Sequence, residues 1–260
     1  MLKINKLKLG YDHKIIVDNV SFNVEKNSIT TIIGPNGCGK STILKALSKN
    51  KKPTYGQVLL ETKDINKISP KILAKKMSIL PQSPKVPDDF TTRDLVGYGR
   101  YPHLGWAGRF TKKDYDIIDW AIKETKIENL QHRQIVTMSG GERQRAWIAM
   151  ALAQQSELLL LDEPTTYLDI CHQFEVLELI KRLNREMNIT IVMVLHDLNQ
   201  AARYSDKIVV IKDGSIYKEG KPEEIITKEV LEDVFNIKVR VFNDEEHQYP
   251  YFIPISSKTE

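Results

Sequence analysis

The sequence predicts an α/β fold in which a parallel, buried sheet carries a phosphate-binding loop, with an antiparallel β subdomain ahead of it and a helical insertion within it. Three observations predict this. The apolar run Ile29 to Ile33 feeds Gly34-Pro35-Asn36-Gly37-Cys38-Gly39-Lys40-Ser41, which fits Gly-x4-Gly-Lys-Ser/Thr, the phosphate-cradling turn between a buried strand and a helix. The uninterrupted apolar run Leu158 to Leu161 ends in Asp162-Glu163, the pattern of a central parallel strand that delivers an acid to its carboxyl end. Between them, residues from about 85 to 153 change texture to helical spacing and read as an insertion.

Taken in order, Leu2 to Leu9 alternates as a half-buried strand and Ile15 to Val24 as another, with Gly10-Tyr11-Asp12-His13 as the turn between them. After the loop, Ile43, Leu44 and Leu47 give the next helix an apolar face. Val58 to Leu60 is a short strand, helical spacing covers Ile72 to Met77, and Ser78 to Leu80 is a strand ended by Pro81. Helical character returns near Leu95, Asp114 to Glu124 is amphipathic, and a helix runs from Ser139 through Ala151. Phe174, Leu177, Ile180, Leu183 and Met187 mark a long helix, followed by a buried strand at Thr190 to Leu195. Ile208 to Ile211 and Ile216-Tyr217 flank Asp213-Gly214, a hairpin signal. From Pro222 the pattern is short helices and then a strand at Val239 and Val241.

The composition confines the possibilities. At 260 residues, with 41% hydrophobic and 28% charged, the chain suits one large α/β domain. A net charge of +4, with lysine pairs dispersed, argues for solvated faces and against a nucleic-acid groove. Two cysteines, Cys38 and Cys171, form no metal spacing or disulfide framework, and a reducing cytosol is expected. The N-terminus lacks a secretory h-region, and no apolar run approaches the ~18 residues of a membrane span.

The chemistry follows from residue types. The loop glycines let backbone N–H groups converge on phosphate oxygens, to which the following helix adds its positive N-terminal end. Lys40 supplies a cation for β- and γ-phosphates, and the Ser41 hydroxyl, next to Thr42, can ligate Mg²⁺. Asp162 is expected beside the same ion, and Glu163 is suited to orienting a water for in-line attack on the γ-phosphate. Ser139-Gly140-Gly141-Glu142 reads as a capping box, but two glycines in a first turn cost helix propensity, which close approach to an anion explains. Cys38 sits near a helix N-terminus able to lower a thiol pKa, but an inert, variable loop position is the preferred reading.

These motifs, in this order and over most of the chain, resemble the ATP-binding cassette (ABC) transporter ATPases. The residues that carry the likeness are Gly34 to Ser41, Gln82, Met138-Ser139-Gly140-Gly141-Glu142, Leu158 to Pro164, Leu168-Asp169 and His196. The resemblance implies a P-loop NTPase fold of the ABC type: residues 1–84 and 154–235 as β-rich core, 85–153 as helical signature subdomain, and 236–260 as a tail packed on the core. It implies that Tyr11 stacks on adenine, that Gln82 touches Mg²⁺ and the attacking water, and that His196 contacts γ-phosphate. Ser139, Gly140 and Gly141 are implied to cap ATP bound to a second copy in a head-to-tail dimer, with Asp169 in the dimer-interface loop. Met138 and Glu142 stand where Leu and Gln are commonest, and Thr166-Tyr167 where Ser-Ala is usual.

A narrower likeness, to the ferric-siderophore importer ATPases, rests on Gly99 to His103, Arg143 to Ala151, Thr165 to Ile170 and Leu195 to Ala201. It implies ATP and Mg²⁺ as cofactors, an integral membrane permease as partner and a substrate-binding protein as an indirect one. The implied place is the cytoplasmic face of the membrane, with segment 100–109 towards the permease. Haem, cobalamin or a metal ion is the alternative cargo. A soluble ATPase acting on DNA or ribosomes is the alternative of another class, disfavoured because coiled coils, zinc modules and a second cassette are absent from the sequence.

Overall fold

The computed structural model describes residues 1–11, 14–82, 86–105, 108–246 and 248–257. The first elements are β1 (Leu2–Tyr11), β2 (Lys14–Val24), β3 (Ile29–Ile33), α1 (Lys40–Leu47), β4 (Tyr55–Leu60) and β5 (Lys63–Asp64). Next come α2 (Pro70–Lys76), β6 (Met77–Leu80), α3 (Thr92–Tyr98), α4 (Lys112–Glu124), α5 (Gly140–Ala153), β7 (Leu158–Asp162) and α6 (Ile170–Met187). The chain ends with β8 (Thr190–Val194), α7 (Leu198–Tyr204), β9 (Lys207–Lys212), β10 (Ser215–Gly220), α8 (Pro222–Ile225), α9 (Lys228–Phe235), β11 (Ile237–Asn243) and β12 (Pro250–Ser257). They group into two compact units, one of Met1–Lys67 with Thr190–Glu260 and one of Ile68–Ile189.

In the first unit, β1 pairs antiparallel with β2 and β4, giving the order β2-β1-β4-β5. Leu2, Ile4, Leu7 and Leu9 all face the core, so the inward positions change parity between Ile4 and Leu7. A bulge with Lys6 at φ 46° absorbs the odd residue and keeps both halves of the strand buried. Across from it Gly56 has φ 81°, and a Cβ there would fall 2.3 Å from the Lys6 carbonyl oxygen, so no other residue fits. The expected turn at Gly10-Tyr11 is corrected: both belong to β1, in register with Ile15 and Lys14, and Asp12 and His13 lie outside the described residues.

Strand β3 runs parallel to both β8 and β9, and every residue of β3 and β8 is buried, which explains their lack of alternation. β9 and β10 form the predicted hairpin; Asp213 and Gly214 have φ 48° and 77°, the paired positive values of a type I′ turn. The expected strand around Val239 is β11, but its antiparallel partner β12 escaped the sequence reading. Pro250 and Pro254 disguise it, and prolines are tolerated there because the strand is an edge.

In the second unit, β6 and β7 pair parallel from Met77↔Leu158 to Leu80↔Leu161. Met77, expected at the end of a helix, is the first residue of β6. Helices α3, α4 and α5 each begin with a reciprocal capping box, at Thr91/Asp94, Thr111/Asp114 and Ser139/Glu142. Helix α6 starts at Ile170, earlier than the apolar spacing indicates, because the Asp169 carboxylate accepts from the His172 N–H and caps it.

Arg100 holds α4 and the end of α5 together. Its guanidinium donates to Asp114 Oδ1 (3.0 Å), the Ala153 carbonyl (2.7 Å) and Gln155 Oε1 (3.2 Å), and it is 3% exposed. The start of the segment expected to face a permease therefore points inward; Tyr101 is exposed, and Trp106 and Ala107 lie outside the described residues. Burial alone raises the Asp114 pKa, but hydrogen bonds from the Thr111 hydroxyl (2.7 Å), the Thr111 N–H (2.9 Å) and Arg100 outweigh it and bring the carboxyl to about 2. Its stabilising contribution is therefore complete above the ordinary carboxylate range and lost as pH falls through about 2. Arg100→Met is expected to cost about 3–5 kcal/mol, read as a lower urea midpoint, because it strands a buried carboxylate. In that variant acid unfolding begins at higher pH than in the wild type.

Candidate functional site

In the first unit the loop after β3 supplies an anion cradle. Gly34 packs so closely that a Cβ would lie 2.1 Å from the Ile211 carbonyl oxygen, and Gly39, the N-cap of α1, has φ 106°. Gly39 offers no side-chain cap to α1, so this helix start has the glycine-lined backbone that suits an anion. Lys40 is 5% exposed, and its ammonium donates to the carbonyls of Gly34 (2.9 Å) and Pro35 (3.0 Å), so the cation lies over the loop it belongs to. Ser41 and Thr42 follow in the first turn, half-buried; Asn36 and Gly37 are exposed.

Cys38 is buried, and its surroundings correct the expected effect of the helix end. Burial pushes the thiol up, against the pull of the Lys40 ammonium, so the thiol form prevails. Tyr11 is half-exposed, with the Lys51 ammonium 3.5 Å from its ring centroid, a cation–π contact that covers one face. His196 follows β8 and is exposed.

In the second unit β7 carries Asp162, 7% exposed, to its carboxyl end, and Glu163 follows at φ 53°. That left-handed residue turns the chain off the strand at once. The Gln82 amide donates to Glu163 Oε2, and the Thr166 hydroxyl donates to the same oxygen at 3.1 Å. Gln82 and Glu163, 81 positions apart, are thus brought together.

The Ser139 turn has its own geometry. Ser139 N–H donates to Glu142 Oε2 (2.8 Å), and the Glu142 N–H returns to the Ser139 hydroxyl (3.4 Å), both exposed. The Ser139 backbone, then its hydroxyl, holds the Glu142 carboxyl below the ordinary range. A Cβ on Gly141 would lie 2.4 Å from the imidazole Cδ2 of His172. That ring bonds Asp169 Oδ1 at 2.8 Å, and the His172 N–H, then the ring, keeps Asp169 below the ordinary range. The α5 N-terminus and the Asp169 loop are therefore one assembly joined by His172.

The family model described as "ABC transporter" matches residues 17–166, more than half of the chain. The chain belongs to the ABC transporter family. The iron(3+)-hydroxamate import ATP-binding protein FhuC of Bacillus subtilis is 49% identical to this ABC ATPase, over 96% of this chain and 93% of its own length. The ferric enterobactin transport ATP-binding protein FepC of Escherichia coli is 41% identical over 98% and 94%. The bacterial ABC transporter cassette MJ0796, solved as a dimer, is 28% identical, with TM-score 0.75 over 85% of this chain and 98% of that one.

Four contacts of the ABC ATPase escaped the sequence reading: His172, Thr166, Lys51 over Tyr11, and the inward Arg100. Two had a legible signal, since Thr166 lies three residues after Glu163 and His172 three after Asp169, the spacing of local side-chain bonds. His172 also revises the account of Gly141, whose missing Cβ makes room for an internal side chain as well as any anion. Gly141→Ala is expected to cost about 1–3 kcal/mol through this overlap. His172→Ala in the same chain should return most of that loss on thermal unfolding; no recovery would discard the packing account.

Proposed function

We propose that this ABC ATPase is the ATP-hydrolysing subunit of an importer of ferric siderophores. The cargo reading is supported by the printed names of relatives such as FhuC and FepC, which share nearly the whole chain. The observation that carries the hydrolytic reading is the Glu163 carboxylate, at the tip of a buried strand and held on one oxygen by Gln82 and Thr166. Its other oxygen is the base that orients water for attack on the γ-phosphate.

Lys40 and the loop N–H groups, from Gly34 through Thr42, take the β- and γ-phosphates, Tyr11 takes the adenine, and His196 takes the γ-phosphate from another side. Ser41, Asp162 and Gln82 offer hard oxygen donors, a set that suits Mg²⁺ with several retained waters. The ion neutralises phosphate charge when bound. Among the described residues no cluster of three His, Cys, Asp or Glu offers an alternative metal site.

The chain carries two anion cradles about a hundred residues apart, at Lys40 and at Ser139. A head-to-tail dimer uses both on one ATP, with Ser139, Gly140 and Gly141 of one copy and Asp169 beside them closing on the nucleotide of the other. MJ0796 is dimeric, and a second structure of it holds ADP and Pi. ATP then favours the closed dimer through contacts that ADP lacks. No helix among the described residues is long and apolar enough to cross a membrane. The import roles in the names of relatives such as FhuC and FepC support a place at the cytoplasmic face beside an integral permease. A substrate-binding protein acts on the far side.

Reconstitution with its permease and binding protein tests the cargo. Ferric hydroxamate or catecholate should stimulate ATP turnover and enter vesicles. Stimulation by haem or cobalamin alone would transfer the reading to those cargoes.

A further inference from the structure

The ribbon of β11 and β12 has two dissimilar faces. On one, Val239 and Phe252 are 5% and 9% exposed, and the Asn199 side chain bonds both the Phe252 N–H (2.9 Å) and its carbonyl (3.1 Å). That face is fastened to its own unit through α7. On the other, Phe242 pairs with Tyr251, their rings stacked at 5.5 Å, and Arg240 pairs with Ile253. Ile255 follows at a bulge, where Val239 pairs with Pro254 and Lys238 with Ser256, and it adds exposed apolar surface at the root end of the row. Phe242, Tyr251, Ile253 and Ile255 are 39%, 36%, 53% and 59% exposed.

Four large apolar side chains in one row on a two-stranded ribbon are a contiguous patch, not the scattered exposure ordinary surfaces show. Charge along the ribbon is polarised. Lys238 and Arg240, both exposed, stand towards its root; Asp244, Glu245 and Glu246 form its tip. We propose that this face is a contact between two copies of the chain, with their ribbons laid face to face and antiparallel about a two-fold axis.

The charge pattern selects this occupant. A two-fold axis through the apolar row sets root on tip, so that Lys238 and Arg240 of each copy meet the acidic tip of the other. A parallel stack sets like on like. An anionic lipid surface attracts the root and repels the tip equally well, and so gains nothing from the face as a whole.

Magnitude decides the strength. With roughly 200 Å² per fully exposed large side chain, the row offers about 400 Å² per copy, half of the ~800 Å² per partner of a stable stand-alone interface. The contact is therefore weak and reversible in dilute solution, and closes readily between copies already held near each other. In an importer it would keep two subunits together while their nucleotide sites open. That consequence rests on the dimer under Proposed function; the contact itself does not.

Sedimentation velocity of the full nucleotide-free chain over a concentration series tests it. The expected result is a reversible dimer, weakened at least ~10-fold by Ile253→Lys and by Arg240→Glu, as loss of central apolar and charged contacts does. Reversing both ends, with Lys238→Glu and Arg240→Glu at the root and Glu245→Lys and Glu246→Lys at the tip, should restore association, because root and tip are again opposite in sign. Unchanged circular dichroism and nucleotide affinity establish that the variants are folded. A monomer at every concentration, a dimer indifferent to Ile253→Lys, or a charge swap that restores nothing overturns the proposal. Failure of the head-to-tail reading shows separately, as absence of ATP-dependent association.

Discussion

Glu163→Gln is expected to lower ATP hydrolysis by about 10²–10⁴, the span typical of a lost general base, while ATP binding is preserved. The amide has the carboxylate's shape. Its single oxygen can still accept from Gln82 and Thr166, which both reach Glu163 Oε2 in the wild type. The left-handed backbone at φ 53° is no more strained by Gln than by Glu. What is lost is the capacity to take a proton from water. Because ATP then binds without being consumed, the variant should accumulate as a nucleotide-held dimer, visible by size-exclusion chromatography with light scattering. Phosphate release in a single turnover separates this from a binding defect. An unchanged rate would remove Glu163 from its role.

Much of the fold was legible because the buried strands announce themselves. β3, β8 and β7 as far as Leu161 are apolar or Thr-bearing runs with no outward face, and only strands covered on both sides read that way. Asp213-Gly214 was legible for a different reason: few residue pairs accept positive φ twice. The illegible parts share a cause as well. Tyr11 and Gly10 looked like turn residues, yet local propensity yields to pairing when β2 is in register to complete the hairpin. β12 was hidden by prolines whose cost vanishes at an edge.

The candidate site divides the same way. Gly34 to Ser41 and Leu158 to Glu163 are local motifs, each readable within one strand and one turn. The Gln82–Glu163 bond joins two distant segments, and only a resemblance could pair them in advance. The Gly141–His172–Asp169 assembly was misjudged because a glycine's reason lies in what fills its missing side chain. Arg100 was misjudged because an arginine in a polar, aromatic segment gives no sign of whether it faces in or out. Its neighbours Asp114 and the α5 carbonyls decide that, and they come from elsewhere in the chain.

Lys40→Ala should weaken ATP binding by about 10- to 100-fold, the worth of a charged hydrogen bond at 1.5–3 kcal/mol. The chain should still fold, since among the described residues the Lys40 ammonium bonds the Gly34 and Pro35 carbonyls of its own loop. Calorimetry with ATP and a melting curve without it separate the two effects, and undiminished affinity would withdraw the loop from phosphate binding. Ser139→Ala should instead leave ATP affinity of the single chain nearly intact and abolish turnover, because in the proposed head-to-tail dimer its hydroxyl serves the nucleotide of the other copy. Mixing the two inactive subunits then discriminates between one-chain and two-chain sites. In a mixed dimer both defects fall on one nucleotide and the second site has a wild-type Lys40 and a wild-type Ser139. Random pairing of equal amounts should recover about a quarter of wild-type activity if sites act independently, and less if both must fire. If each chain completed its own site, every site in the mixture would stay defective, and no phosphate release above the separate variants would appear.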